Sequence, residues 1–428
     1  MEYYDFDLWV ESVTAQGYPL RAISATQGGA KGWMSQDLLT GSMPSFLQRL
    51  EEGKTDAAFL IQFGAFLYNL LFPDEIAALF EANLGEVIRH EELGLRIRLR
   101  IAPPEISALP WEYLYVPRHR YFLGASRKTP LTRCLDIAPI RALRTTLPLK
   151  ALVAIPGGSG LEADRERAML LKATRKLKGA FQFRFLTGNV TRSTLSDALL
   201  EERYHIFHFI GHGVFQNDHG YLIFNREDGR DDPIDDEVFA RFFLNEPSMK
   251  LVMLNTCEGA KMSSSRPMAG LAPKLVERGI PAVIAHQYPL ANEASLRFTR
   301  EFYHSLCTGT EAGHVDTAVA HARNLLSIHF PADPVLGAPV LFLRSPEGLI
   351  FDVQEKPPVE HGPAHSATRL SAEERKHLES SLALHERNRR VLEEQILRMG
   401  FFAPPYLKAQ LADELAAIEE IRRRLDKR

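Results

Sequence analysis

Short apolar runs alternate with helix-type segments through the middle of the chain. The runs are rich in Val, Ile, Leu and Phe, as expected of buried strands of a parallel sheet. They lie at 151–155, 181–187, 204–210, 250–254 and 282–286. Helices are predicted between them, near 165–177, 194–200, 237–243 and 292–306. This alternation predicts an α/β fold with a mostly parallel sheet flanked by helices on both faces.

The first 145 residues predict a β/α elaboration of that sheet. Residues 3–10 and 18–24 alternate enough to be strands joined by a turn near Gly17, and a helical region follows over 44–91. Residues 95–101 alternate apolar side chains with Arg, which predicts a half-exposed strand. The most apolar stretch, 57–72, contains polar residues and ends at a proline, so we expect a buried helix rather than a membrane span.

The composition changes near the C-terminus. Residues 351–370 contain several prolines and small polar residues, which predicts a linker between the 146–350 domain and a final segment, 371–428. In that segment two charge-rich helical stretches, separated by Gly400, Pro404 and Pro405, each carry an apolar stripe. We expect an antiparallel helical hairpin that serves docking or self-association. A purely stabilising appendage is the alternative.

Two of the apolar runs end at residues capable of covalent chemistry. His212 lies between Gly211 and Gly213, and Cys257 follows the run 250–254 within a short polar segment. Because ligands bind at the carboxyl ends of strands in open α/β sheets, both side chains are candidates for one site. A thiol is a good nucleophile as thiolate, and an imidazole can accept its proton. The alternative is that Cys257 is a small buried apolar residue.

The sequence favours no metal and no cofactor. His205 and His208, three apart on a strand, face opposite sides and cannot share an ion, so His208 is expected to be packed or hydrogen-bonded behind the site. The PGGSG segment at 156–160 lacks the Gly-Lys-Ser/Thr of a phosphate loop. Cys134 and Cys307 have no such partners and are expected to be structural.

Charge and cysteine usage restrict the function classes. The net charge is −3 and the pI is about 6.6, which argues against direct nucleic-acid binding or an anionic-membrane anchor. Three widely spaced cysteines do not form a disulfide framework. The first residues carry no secretory pattern. We therefore expect a cytoplasmic protein.

The order of motifs resembles the CHAT family of caspase-like cysteine proteases, related to separases, caspases and gingipains. The motifs, in chain order, are LPWEYLY at 109–115, PLTRC at 130–134, ALVAIP at 151–156, HFIGHG at 208–213, LNTC at 254–257, FYHSLCTG at 302–309 and APVLFL at 338–343. His212 and Cys257 are 45 residues apart, close to the about 50 of caspases. The resemblance implies a caspase-like fold, a His212/Cys257 dyad, and an oxyanion site formed by the amides of Gly213 and Cys257.

The resemblance also indicates a substrate pocket. The residue two before the nucleophile, Asn255, would line it, and relatives that cut after Lys or Arg place an Asp where this chain has Asn292, followed by Glu293. Either Glu293 or a carboxylate near Glu162 replaces that Asp, or the pocket accepts an uncharged residue.

These implications predict a cysteine endopeptidase that cleaves a specific protein partner. Activation by a protein partner, or by self-association through 371–428, would fit the defence and programmed-death roles implied by the family. A catalytically silent signalling scaffold that retains the fold is the alternative.

Overall fold

The computed structural model describes residues 1–157, 160–177, 179–216, 219–256, 267–288, 290 and 292–354, with residues 382, 386, 389, 390, 393, 411, 415, 418 and 422. The chain divides into two compact units, Met1–Glu355 and Lys356–Arg428.

Strands of the larger unit form one long mixed sheet and three small ones. Their bounds in the described residues are β1 (Glu2–Val10), β2 (Tyr18–Ser24), β3 (Gly28–Met34), β4 (Leu93–Ile101), β5 (Tyr115–Val116), β6 (Tyr121–Phe122), β7 (Leu131–Cys134), β8 (Leu143–Thr146), β9 (Leu149–Pro156), β10 (Phe181–Gly188), β11 (Ile206–Gly211), β12 (Gly213–Gln216), β13 (His219–Asn225), β14 (Asp231–Asp235), β15 (Leu251–Thr256), β16 (Ala282–His286), β17 (Pro339–Leu343) and β18 (Phe351–Gln354). The long sheet has the order β10-β9-β11-β15-β16-β17-β7-β4-β1-β2-β3.

Helices cover this sheet on both faces. Their bounds in the described residues are α1 (Met43–Glu51), α2 (Ala57–Leu71), α3 (Asp74–Arg89), α4 (Pro104–Ser107), α5 (Gly160–Thr174), α6 (Arg192–Glu201), α7 (Asp236–Arg241), α8 (Pro267–Glu277), α9 (Asn292–Cys307) and α10 (Val315–His329). One core cluster includes side chains of α2, α3, α9 and α10. A second, on the opposite face of the central strands, includes those of α6, α7 and α8.

The predicted α/β architecture is confirmed. Strands β9, β10, β11, β15 and β16 run parallel, as their apolar composition predicts, and the predicted helices correspond to α5, α6, α7 and α9. Helix α8, between β15 and β16, was not predicted. The sheet becomes mixed at β17, which pairs antiparallel with β16, and at β2, which lies antiparallel between β1 and β3. Because β7, β4 and β1 continue the same sheet, the first 145 residues share it with the predicted 146–350 domain.

The strand predicted at 95–101 is present as β4, but its predicted half-exposure is wrong. Strand β4 lies inside the sheet between β1 and β7, and Arg96 is 4% exposed. Its guanidinium Nε donates to Asp316 at 2.6 Å, and Arg98 forms an ion pair with Asp7. The arginines remain charged in the interior because buried carboxylates compensate them.

Sequence patterns did not predict β3 or the small antiparallel sheet β12-β13-β14. Strand β3 contains three glycines, which are depleted in strands, and its alternate residues are exposed at the edge of the long sheet. The 351–370 linker begins within β18, whose residues pair parallel with β8.

The stretch over 57–72 forms the predicted buried helix: α2 buries Phe59, Phe63 and Leu67 in the core. Among the described residues, no single helix has the length and apolar character needed to span a membrane. The pair α2 and α3 meets that test together, with a bend of 108° between them.

In the smaller unit, every described residue is helical. Arg422 donates to Glu386 at 2.7 Å. These two described residues lie at similar distances in sequence from the 400–405 segment, so their contact agrees with the predicted antiparallel hairpin. Leu415, on the predicted apolar stripe, is 46% exposed, whereas Ile418 is buried.

Candidate functional site

Two central strands end side by side at the carboxyl edge of the sheet. Strand β11 pairs in parallel register with β15, so that Ile210 lies opposite Asn255 and Gly211 opposite Thr256. In the sequence, the next residue after Gly211 is His212 and the next after Thr256 is Cys257. Cys257 itself lies outside the described residues, and so does its predicted dyad with His212.

The backbone on both sides of His212 is held by hydrogen bonds. β11 precedes it, and Gly213 begins β12, where it pairs with Leu222 of β13. The carbonyl of His212 accepts a hydrogen bond from the amide of Ile223 at 3.0 Å. The side chain is exposed to solvent. The imidazole is thus presented to solvent on a backbone that is fixed on both sides.

The small sheet that follows His212 is anchored by apolar residues. Leu222, Phe224 and Ile234 are fully buried in the second core cluster. The loop that carries His212 is thereby attached to the body of the domain.

Asn255 is buried at the end of β15, where it is 3% exposed. Its Oδ1 has no hydrogen-bond partner among the described residues. Buried polar atoms are nearly always hydrogen-bonded in folded proteins, so this unpaired acceptor is an exception that calls for an explanation.

The other residues predicted for the pocket are placed as follows. Glu293 lies in the first turn of α9 and is exposed. Asn292 begins the same helix and Glu162 lies in α5, but the side chains of both are outside the described part of the chain.

His208 has the packed and hydrogen-bonded role expected from the sequence. It is fully buried on β11, and its Nδ1 lies 3.1 Å from the hydroxyl of Tyr303 on α9. Burial, together with the nearby His286, lowers the pKa of His208 to about 3. The imidazole is therefore neutral at physiological pH.

His286 is a buried residue that the sequence analysis missed. It ends β16 at 1% exposure, and its ring packs edge-on against Phe298 of α9 with centroids 5.5 Å apart. Neither ring nitrogen has a hydrogen-bond partner among the described residues. Burial lowers its pKa to about 3. The signal was present, because the run 282–286 ends in His286, just as His212 closely follows the run 204–210.

The sequence analysis also missed the role of Glu112 in the LPWEYLY motif. This carboxylate is 1% exposed and accepts hydrogen bonds from Arg133 of β7 and from Gln287, the residue after β16. It therefore fixes the start of the segment that joins β16 to α9.

The remaining cysteines lie away from this edge. Cys134 and Cys307 are free and buried, and burial raises the pKa of each thiol. Buried thiols with raised pKa values are poor nucleophiles, which agrees with a structural role. Within the described residues, no group of three His, Cys, Asp or Glu side chains is arranged to hold a metal ion.

The family model named CHAT domain matches residues 63–328, more than half of the chain. The chain belongs to the CHAT-domain family. This match confirms the resemblance seen in the sequence motifs, and the matched range contains His212, Asn255, Cys257 and His286. No curated protein matches this CHAT-domain chain.

Solved structures similar to this CHAT-domain chain include two of the Saccharomyces cerevisiae separase-securin complex. The structure at 3.0 Å is 10% identical with a TM-score of 0.45 and covers 82% of this chain. The structure at 2.6 Å is 14% identical with a TM-score of 0.37 and covers 66%. This chain spans 30% and 18% of the length of the respective matched chains.

Proposed function

We propose that this CHAT-domain protein is a cysteine endopeptidase with His212 as the acid-base residue and Cys257 as the nucleophile. The observation that carries the proposal is the pairing of Gly211 with Thr256, because the two catalytic candidates directly follow these partners in the sequence. Adjacent parallel strands are separated by about 4.8 Å, a distance that two side chains can bridge.

In the proposed reaction the Cys257 thiol transfers its proton to His212, and the sulfur forms a bond to the scissile carbonyl carbon. Amides of Gly213 and Cys257 stabilise the resulting oxyanion. The carbon–nitrogen bond then breaks, and the leaving amine takes the proton from His212. Water attacks the thioester and gives one proton to His212. The carbon–sulfur bond breaks, and that proton returns to the sulfur.

The biological part of the proposal follows from CHAT membership. The enzyme cleaves a specific protein partner in the cytoplasm and acts in prokaryotic defence or regulated cell death. Binding of an activating protein, or self-association through 371–428, switches it on. The two apolar stripes predicted for this segment and the helical state of its described residues support an interaction role.

Peptidase activity is tested by incubating the full chain with a proteome-derived peptide library and identifying new termini by mass spectrometry. Cys257→Ala and His212→Ala are expected to lower the cleavage rate by about 10³-fold or more. Cys307→Ala is the matched control and keeps the activity. If wild type and Cys257→Ala yield the same peptides, the protein is a non-catalytic scaffold.

Self-association is tested by sedimentation of the full chain and of Leu415→Glu. A charge at this exposed apolar position weakens association of the hairpin without burying a charge in the monomer. If the wild-type chain remains monomeric at all concentrations, self-association is excluded and a separate activating protein is the proposed trigger.

A further inference from the structure

Three buried polar side chains share one face of the sheet behind the site. Register pairs His208 with Met253, and Met253 with Ile284, so side chains at even positions of β11 and β16 and odd positions of β15 face the same side. His208, Asn255 and His286 all belong to this set. We call these three residues the buried polar cluster.

Helix α9 covers the buried polar cluster. His208 contacts Tyr303 at 3.1 Å, and His286 packs on Phe298, one turn and a little more toward the start of the helix. Asn255 and His286 lie at the carboxyl ends of β15 and β16, nearest to the proposed catalytic edge. His208 lies on the same face of β11, two residues farther from that edge. The cluster thus extends from the edge into the sheet face.

Four polar atoms of the cluster make no hydrogen bond within the described residues. The Nε2 of His208, the Oδ1 of Asn255 and both ring nitrogens of His286 are buried and have no partner in the described part of the chain. On the opposite face at the same level, Phe209, Leu254 and Ala285 belong to an ordinary apolar core. Unpaired polar atoms are therefore concentrated on the face next to the two strand ends.

An unpaired buried polar group destabilises the free protein, and an apolar residue of similar shape would remove that penalty. Groups of this kind persist at sites where a ligand completes their hydrogen bonds. The position beside the proposed nucleophile identifies the ligand as part of the substrate.

The chemistry of the cluster selects an uncharged partner. Asn255 Oδ1 accepts a hydrogen bond, and a neutral imidazole offers one donor and one acceptor. Glu293 is exposed, and the buried carboxylate of Glu112 already binds Arg133 and Gln287. Neither of these described carboxylates is therefore available as a buried counter-ion for a lysine or arginine, and a substrate carboxylate could only accept. A carboxamide both donates and accepts without charge.

We propose that Asn255 and His286, the two members of the buried polar cluster at the strand ends, form the base of the pocket for the substrate side chain before the cut, with His208 behind them, and that this pocket selects glutamine or asparagine over lysine and arginine. The proposal rests on the endopeptidase function and specifies its substrate class.

Active-site probes separate this inference from the function beneath it. Peptidyl acyloxymethyl ketones with Gln, Asn, Leu, Lys or Arg before the reactive group are incubated with the full chain, and the covalent adduct is measured by intact mass. We expect the Gln or Asn probe to label at least about 10-fold faster than the Lys and Arg probes, and Cys257→Ala to remain unlabelled. Faster labelling by Lys or Arg overturns the inference and keeps the peptidase. No labelling by any probe counts against the peptidase itself.

A second readout distinguishes binding from packing. Asn255→Leu removes the unpaired acceptor at similar volume, so we expect the melting temperature to rise by roughly 1–3 °C while the preference for Gln over Leu falls by about 10-fold. If Asn255→Leu does not fold, His286→Leu takes its place, and we expect the melting temperature and the preference for Gln over Leu to change in the same directions. Leu254→Met, on the opposite face, keeps the probe ranking. If Asn255→Leu or His286→Leu loses stability and retains the preference for a carboxamide side chain, the cluster is part of the structural core and the proposal is overturned.

Discussion

Gln287 donates a hydrogen bond of 2.9 Å to the carboxylate of Glu112, which lies 175 positions earlier in the chain. The same side-chain amide donates to the carbonyl of Gly337 at 2.6 Å. Arg133 donates to both oxygens of the same carboxylate through Nε and Nη2, at 2.9 and 2.7 Å. The LPWEYLY motif is thereby connected to the segment that leads from β16 to α9.

Glu112→Gln is expected to destabilise the protein by about 3–5 kcal/mol, because it leaves the buried Arg133 guanidinium without a counter-ion. Urea unfolding measures the loss. Glu237→Gln, which breaks an exposed pair with Arg278, is the control and costs less than about 1 kcal/mol. Equal costs for the two variants would contradict the assigned role of Glu112. Adding Arg133→Met to Glu112→Gln is expected to restore part of the stability.

Replacing a helical glycine by alanine is expected to have opposite effects on stability at Gly64 and at Gly85. A Cβ at Gly64 in α2 would lie 2.2 Å from the Tyr113 carbonyl oxygen, whereas a Cβ at Gly85 in α3 has no neighbour within 4 Å. Gly64→Ala is expected to cost about 1–3 kcal/mol by overpacking. Gly85→Ala is expected to gain about 0.5–1 kcal/mol from helix propensity. Thermal unfolding of both variants checks the pair, and stabilisation by Gly64→Ala would show that α2 does not pack closely on Tyr113.

Local composition was sufficient to predict the strands that carry the site. The runs before His212 and Cys257 are apolar and short, and parallel strands buried on both faces require that composition whatever their partners are. The run 282–286 coincides with β16 for the same reason. The candidate pair His212 and Cys257 could be named because each follows such a run.

Long-range pairing could not be predicted in the same way. The arginines of β4 indicated exposure, but Arg96 is buried because Asp316, 220 positions later, supplies its counter-ion. Whether Asn255 and His286 find hydrogen-bond partners likewise depends on the side chains that α9 and the neighbouring strands place around them. Such properties belong to the assembled sheet and have no local signal.

Stability should fall in acid because two neutral imidazoles are buried. Burial lowers the pKa of His208 and His286 from 6.5 to about 3. Between these values the unfolded chain binds more protons than the folded chain, so the free energy of unfolding rises with pH from about 3 to 6.5 and is fully present above 6.5. Each histidine is expected to account for about 2 kcal/mol between pH 6.5 and 4.5.

Urea unfolding at the two pH values measures this dependence. His286→Leu is expected to reduce the difference by about 2 kcal/mol. Asn255→Leu, a neighbouring substitution that removes no titrating group, leaves the difference as in wild type. An unchanged difference in His286→Leu would mean that this imidazole is not held neutral by burial.

Thiol alkylation should separate the three cysteines. Burial raises the pKa of Cys134 and Cys307, so at neutral pH their thiolate fraction is small and reagent has little access. Iodoacetamide is therefore expected to modify one thiol of the native protein rapidly, and peptide mapping should place it at Cys257. Cys257→Ala should then react at least about 10-fold more slowly, and His212→Ala should slow the modification at Cys257, since the proposed base is lost. The same chains alkylated in urea give the full count of thiols as a control. Rapid modification of Cys134 or Cys307 in the native protein would show that those sites open to solvent, and equal rates with and without His212 would remove the imidazole from thiol activation.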